Sequence, residues 1–162
     1  MDQPMISLGL MTILAALLIA AAVSDLRSRS ISNGLNVAIA LLAIPFWFAS
    51  GLNFWPDVAF QVGAALLVFL IFVGLFFLGG MGGGDVKMIG AMMLWVPLAL
   101  FVPALTVMAI GGGILSAIML IQSRIRPSDK PVEVPYGVAI AVAGLWVLHQ
   151  HYLNQFQSIA TS

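Results

Sequence analysis

Apolar residues run in long stretches along this chain, and the breaks between them are short. The first stretch, MISLGLMTILAALLIAAAV, takes Met5 to Val23 without a charge. Uninterrupted apolar runs of about 18 residues mark helices that cross a bilayer. The pattern predicts helical spans at residues 5–24, 35–52, 57–78, 86–97, 101–122 and 136–152. The polar turn SDLRSRSISNG separates the first two. SGLNFWPD follows the second span, with Trp55 and Pro56 of a kind met at membrane interfaces. From Val86 to Gln122 the single charge is Lys87. One helix over that length would reach about 55 Å, far beyond a hydrocarbon core of about 30 Å. A tight turn is therefore expected between Pro97 and Pro103, giving two helices. The longest polar loop, SRIRPSDKPVEVP, precedes the last span. The expected fold is all-α: a polytopic membrane protein with about six transmembrane helices, forming a single membrane-embedded domain over residues 1–162. No internal repeat is visible.

Composition sharpens this picture. Of 162 residues, 62% are hydrophobic and 7% charged, against about a quarter charged in a soluble domain. That composition makes membrane lipid an expected partner, and the formal net charge of zero suggests no nucleic acid. There is no cysteine, which excludes disulfides and thiolate chemistry and removes the usual ligands of structural zinc. No metal or cofactor is expected. The first apolar stretch is too long for a typical secretory signal and has no basic residue ahead of it, so it reads as a retained span.

Charge also orients the spans. With six crossings, Arg27, Arg29, Lys87, Arg124, Arg126 and Lys130 all fall on one side. The positive-inside rule makes that side the cytoplasm and places both termini outside, with Asp2, Asp57, His149 and His151. Removing the turn near Pro97 would put Arg124 and Arg126 on the wrong side.

Asp25 closes the first span and Asp85 opens the fourth, so both are expected at one membrane face and similar depth. Ionisable groups near hydrocarbon are costly, which makes them functional candidates. Two acids at one depth can share a proton and a water molecule, as aspartic proteases do. Each feature also has a plainer reading. Asp25 alone fits a polar cap beside Arg27 and Arg29. Asp85 alone fits a helix N-cap. The glycine run alone fits a hinge. Their conjunction carries the signal.

SDLRSRSISNGLN at 24–36 and GGMGGGDVKMIGA at 79–91 resemble the two signature segments of the type IV prepilin peptidases, membrane aspartic endopeptidases with a Gly-x-Gly-Asp motif. Here that motif is Gly82-Gly83-Gly84-Asp85, and Asp25, Arg27, Ile31 and Asn33 match the first segment. PYGVAIA at 135–141 is similar to the Pro-aromatic-Gly segment opening the family's later helix, here Pro135, Tyr136 and Gly137. The resemblance implies that Asp25 and Asp85 are the catalytic pair. It further implies a bacterial inner-membrane enzyme that removes a short basic leader from prepilins or pseudopilins at the cytoplasmic face. With no cysteine-bearing segment ahead of the first span, the chain looks like the short, peptidase-only form associated with tight-adherence (Flp-type) pili. Methyltransferase activity is not carried over.

Local context suggests roles for the remaining residues. Asp85 at a helix N-terminus and Asp25 at a C-terminus differ in dipole environment, so Asp25 is expected to hold the shared proton. Glycine lets the backbone approach a substrate and adopt positive φ, so Gly82 and Gly84 are expected to have little room for a side chain, with Gly83 and Gly79 more tolerant. Lys87 either neutralises local charge or snorkels to the interface. Glu133 and Asp129 either meet the basic leader or are simply solvated. A small transporter, or a non-catalytic membrane subunit of a pilus or secretion assembly, are the competing classes. A transporter would place its acids near mid-membrane at broken helices, and an assembly subunit needs no acid pair.

Overall fold

The structure, a computed structural model, describes residues 3–125 and 134–160, with side chains described over 5–125 and 134–150. Within them the regular structure is entirely helical. Six main helices form: α1 (Gln3–Ser28), α2 (Asn33–Ala49), α3 (Ala59–Phe77), α4 (Gly83–Met93), α5 (Phe101–Ile125) and α6 (Tyr136–Ala160). Each lies where the apolar pattern predicted one. Three stretches are long and apolar enough to cross a membrane, Met5–Ser28, Phe54–Phe77 and Leu98–Ile125, while Asn33–Ala49 and Tyr136–Gln150 are shorter apolar helices.

The helix ends follow local chemistry. The side chain of Ser32 caps α2 by accepting from the Leu35 N–H at 3.3 Å. At the end of α3, Gly79 N–H donates to Phe76 O and Gly80 N–H to Leu75 O, with Gly79 at φ +75°. This is a Schellman ending, which glycine serves because the left-handed conformation costs it nothing. Of the two prolines expected to bracket the turn before α5, Pro97 precedes a short 3₁₀ turn at Leu98–Leu100. Pro103 instead sits inside the first turn of α5, where a missing N–H leaves no helical bond unmade.

α4 departs most from a simple span. Its 11 residues reach only about 16 Å, half of a hydrocarbon core. Yet seven of those residues are buried, against three of the 19 in α3, so α4 is the centre of the fold. It packs against α2, α3 and α6, while α6 also packs against α1 and α5. The chain leaves α4 through a turn in which Trp95 and Val96 are buried. Buried carbonyls there need donors. Gln61 of α3 donates its amide to Met93 O at 2.8 Å and to Val96 O, and Trp47 of α2 donates to Leu94 O at 2.8 Å. Trp95 donates in turn to Ile39 O and stacks on Phe46. α3 and α5, each packed chiefly on one neighbour, form the flanks.

Candidate active site

The last turn of α1, the glycine loop, the first turn of α4 and the start of α6 converge on one polar cavity of about 390 Å³. Asp25 and Arg29 line it from α1 and its end. Gly79, Gly80, Met81 and Gly82 line it from the loop, Asp85 from α4, and Val134 and Tyr136 from the entry to α6. The two acids, 60 positions apart in sequence, therefore share one cavity and lie close enough to interact electrostatically. Both are buried, at 4% and 9% exposure. Carboxylates at that burial without full hydrogen-bonding are costly. Asp25 Oδ2 has no hydrogen-bond partner among the described residues.

Asp85 occupies the third position of α4, not its N-cap, which is Gly82. From there its carboxylate reaches back to the Gly82 backbone N–H. That is the position from which a carboxylate can face an orphan donor at the helix start, as in the acidic half of a capping box. Asp25 sits one turn from the end of α1, and that end is closed by Arg29 in the left-handed conformation at φ 52°. A non-glycine residue held there is strained by about 1–2 kcal/mol. The turn puts Arg29 in the cavity, with its charge acting on Asp25.

The start of α6 completes the site. The backbone N–H groups of Gly137 and Val138 face the Asp25 carboxylate, and that of Gly137 also faces Asp85. Both acids thus stand before a helix N-terminus. To the dipole asymmetry read from α1 and α4 the structure adds the α6 N-terminus, which faces both acids. Gly137 can come this close because it lacks a side chain. A Cβ there would fall 2.7 Å from Ile31 Cδ1 and 2.8 Å from Asp25 Oδ2.

Room for a side chain at the loop glycines is least at Gly82, as expected, but the positive φ lies elsewhere. Gly82 has φ −73°, and positive φ belongs to Gly79 alone within the run. What limits Gly82 is space: a Cβ would stand 3.0 Å from Asp85 Oδ2. At Gly84 it would meet the backbone N and O of Ile31 at 3.4 Å, at Gly83 the ring of Phe76, and at Gly79 nothing.

Of the remaining predicted residues, Tyr136 lines the cavity and the other described ones lie around it. Lys87 donates to Asn33 Oδ1 at 2.9 Å, an exposed tie between α4 and α2, so Lys87 has a protein partner. Pro135 is buried and its carbonyl accepts from Val138 N–H, which starts α6. Tyr136 lines the cavity, and its hydroxyl lies 3.3 Å from Ser116 Oγ. Arg27 is exposed and does not line the cavity. Arg29 takes that place. Helical spacing could not have found it, because Arg29 lies beyond α1 and reaches the cavity through its left-handed turn. Asn36 was also missed. It is buried and donates to Gly84 O at 3.2 Å, fixing the first turn of α4 against α2. Glu133 and Asp129 lie outside the described residues. His149 is exposed on α6, far along the helix from Gly137.

A family model described as the type IV leader peptidase family matches residues 12–121, a stretch holding both aspartates and the glycine run but ending before Pro135. No curated protein and no solved structure matches the chain significantly. The chain belongs to the type IV leader peptidase family.

Proposed function

From that membership, which implies a protease, we propose that the chain is an aspartic endopeptidase using Asp25 and Asp85 to cut a leader from prepilin-type precursors. The observation carrying the reading is the shared, buried, polar cavity into which both motifs bring a carboxylate. Two close carboxylates repel, so the pair is stablest holding one proton between them. The ionised member takes a proton from water, and the water oxygen bonds to the scissile carbonyl carbon. The protonated member gives its proton to the carbonyl oxygen. Collapse of the resulting tetrahedral species returns the C=O, breaks the C–N bond and passes a proton to the leaving nitrogen. A coupled pair titrates as a unit, so the roles belong to the dyad. Arg29 supplies positive charge beside Asp25, and the Gly137 N–H at the start of α6 faces both carboxylates.

The site would face the cytoplasm of a bacterial inner membrane, where the leader of such a precursor begins. Three of the described basic side chains support this: Arg27 and Arg29, at and just beyond the end of α1, and Lys87, in α4, lie near the cavity. Reporter fusions at Ser28 and Ser128 should read cytoplasm, and those at Gln3 and Gln157 the outside. A C-terminus reporting from the cytoplasm would break the six-crossing topology.

The deciding experiment is cleavage by purified protein. Asp25→Asn and Asp85→Asn should each lower leader removal by about 10²–10⁴-fold or more, because an amide keeps the shape and cannot act as base. Both variants should still insert in the membrane. Substantial processing by either would leave the acids a structural role.

A further inference from the structure

Beside the polar cavity lies a second, mostly apolar one of about 550 Å³, and the two share Gly80, Met81 and Tyr136 as a common wall. Its sides are α3, at Phe72 and Leu75, and α5, from Leu105 to Ser116. Since α3 packs on α4 and α5 on α6, the flanking helices leave a groove between them. Along α5 it runs about 17 Å, the rise of eleven helical residues.

The sequence GGG at 111–113 explains how the groove is kept open. A Cβ at Gly111 would meet Ala139, and one at Gly112 the Tyr136 ring at 3.1 Å, so these two let α6 approach. A Cβ at Gly113 would meet nothing within 4 Å. Gly113 therefore faces the open groove, with Ala109 and Ser116 one turn to either side. Within a bilayer, apolarity alone does not select a helix over lipid, because lipid tails are equally apolar. Small residues spaced by a turn do, because they let another backbone come close.

We infer that the α3–α5 groove seats the apolar helix that follows the scissile bond of the substrate, packed on Ala109, Gly113 and Ser116. The inference rests on the peptidase reading above. A chain that changes from polar to apolar at its cleavage point fits a polar cavity opening onto an apolar groove, with the bond held at their shared wall. Tyr136, tied to Ser116 across that wall, marks the crossing.

The test uses the full chain carrying Asp25→Asn in lipid bilayers, with a benzophenone side chain placed at Ala109, at Gly113 or, as control, at Leu66. Leu66 lines a different cavity, between α2, α3 and α4. The probe is a synthetic peptide with a basic leader, the cleavage junction and a 20-residue apolar segment, the length about needed to span a bilayer. Illumination should link positions 109 and 113 to the first three turns of the apolar segment and leave position 66 unlinked to the peptide. Linkage from 66 but not from 109 or 113, or linkage of all three only to lipid or to another copy of the chain, overturns the groove. In an otherwise wild-type enzyme, Ala109→Phe should raise KM for this peptide about tenfold with a smaller change in kcat; an unchanged KM also overturns it. Cleavage of the same peptide by the wild-type protein is scored separately. No cleavage defeats the peptidase reading itself, whereas cleavage without groove linkage defeats only the groove.

Discussion

At its C-terminal end, α4 runs into a buried turn whose carbonyls are met by Gln61 and Trp47, with Trp95 bonded back to α2. At its N-terminal end, the same short helix starts beside two buried carboxylates, one with an oxygen lacking any partner among the described residues, and next to a strained arginine. Both ends are buried polar regions of one helix, and they treat polarity oppositely. The first satisfies its groups and so anchors α4. The second leaves polar capacity unspent, which the proposed site would need in order to receive water and a peptide carbonyl. The anchored end fixes the position of the helix on which Asp85 stands.

The sharpest way to break this comparison is to measure stability and cleavage together in Asp25→Asn. Cleavage should be lost as stated above, yet the unfolding midpoint should equal or exceed that of the wild type, since an amide is cheaper to bury than a carboxylate. A large fall in stability would mean that Asp25 is a structural group and that the two ends do not differ in kind.

Glycine substitutions come next and should form a graded series. Gly137→Ala should reduce cleavage about a hundredfold, because displacing Asp25 or α6 by a fraction of an ångström misplaces the reacting groups. Gly82→Ala, crowding Asp85, should follow with roughly a tenfold loss or more. Gly84→Ala presses on the Ile31 backbone and should rank below it, and Gly83→Ala needs only a turn of the Phe76 ring. Gly79→Ala should keep its activity per folded molecule while losing about 1 kcal/mol of stability from the left-handed conformation. Rates are to be normalised to folded protein in the membrane. Equal tolerance at all five would reduce the glycines to spacers.

The smallest effect on chemistry is expected at the other end. Gln61→Leu leaves the carbonyls of Met93 and Val96 without their donor and should cost about 1–3 kcal/mol of stability. Cleavage per folded molecule should change little. A loss of cleavage at unchanged stability would show that the turn acts on the site directly.

Much of this was legible in the chain. Helix placement followed from apolar run length, because a bilayer rewards about 20 apolar residues whatever their neighbours. The acids stood out because charge is scarce in such a sequence, and both motifs converge on one cavity as their pattern implied. The role of Gly79 in ending α3 was not read correctly: positive φ was expected nearer Asp85. Arg29 was passed over for Arg27, because its place in the cavity depends on a left-handed turn after α1 that no helical spacing reveals.

What sequence alone determined is therefore the local and one-dimensional part: which segments are helices, where they break, and which side chains have no business in hydrocarbon unless they act. Tertiary structure alone decided what surrounds each of them. That Gly137 places its N–H before both acids, that Gln61 serves a turn more than 30 positions away, and that Gly113 faces a groove while Gly112 faces Tyr136 depend on how helices cross. Packing selects one arrangement from many helix pairings of similar apolarity, and in a membrane the hydrophobic effect does not discriminate among them. Small residues and buried hydrogen bonds do.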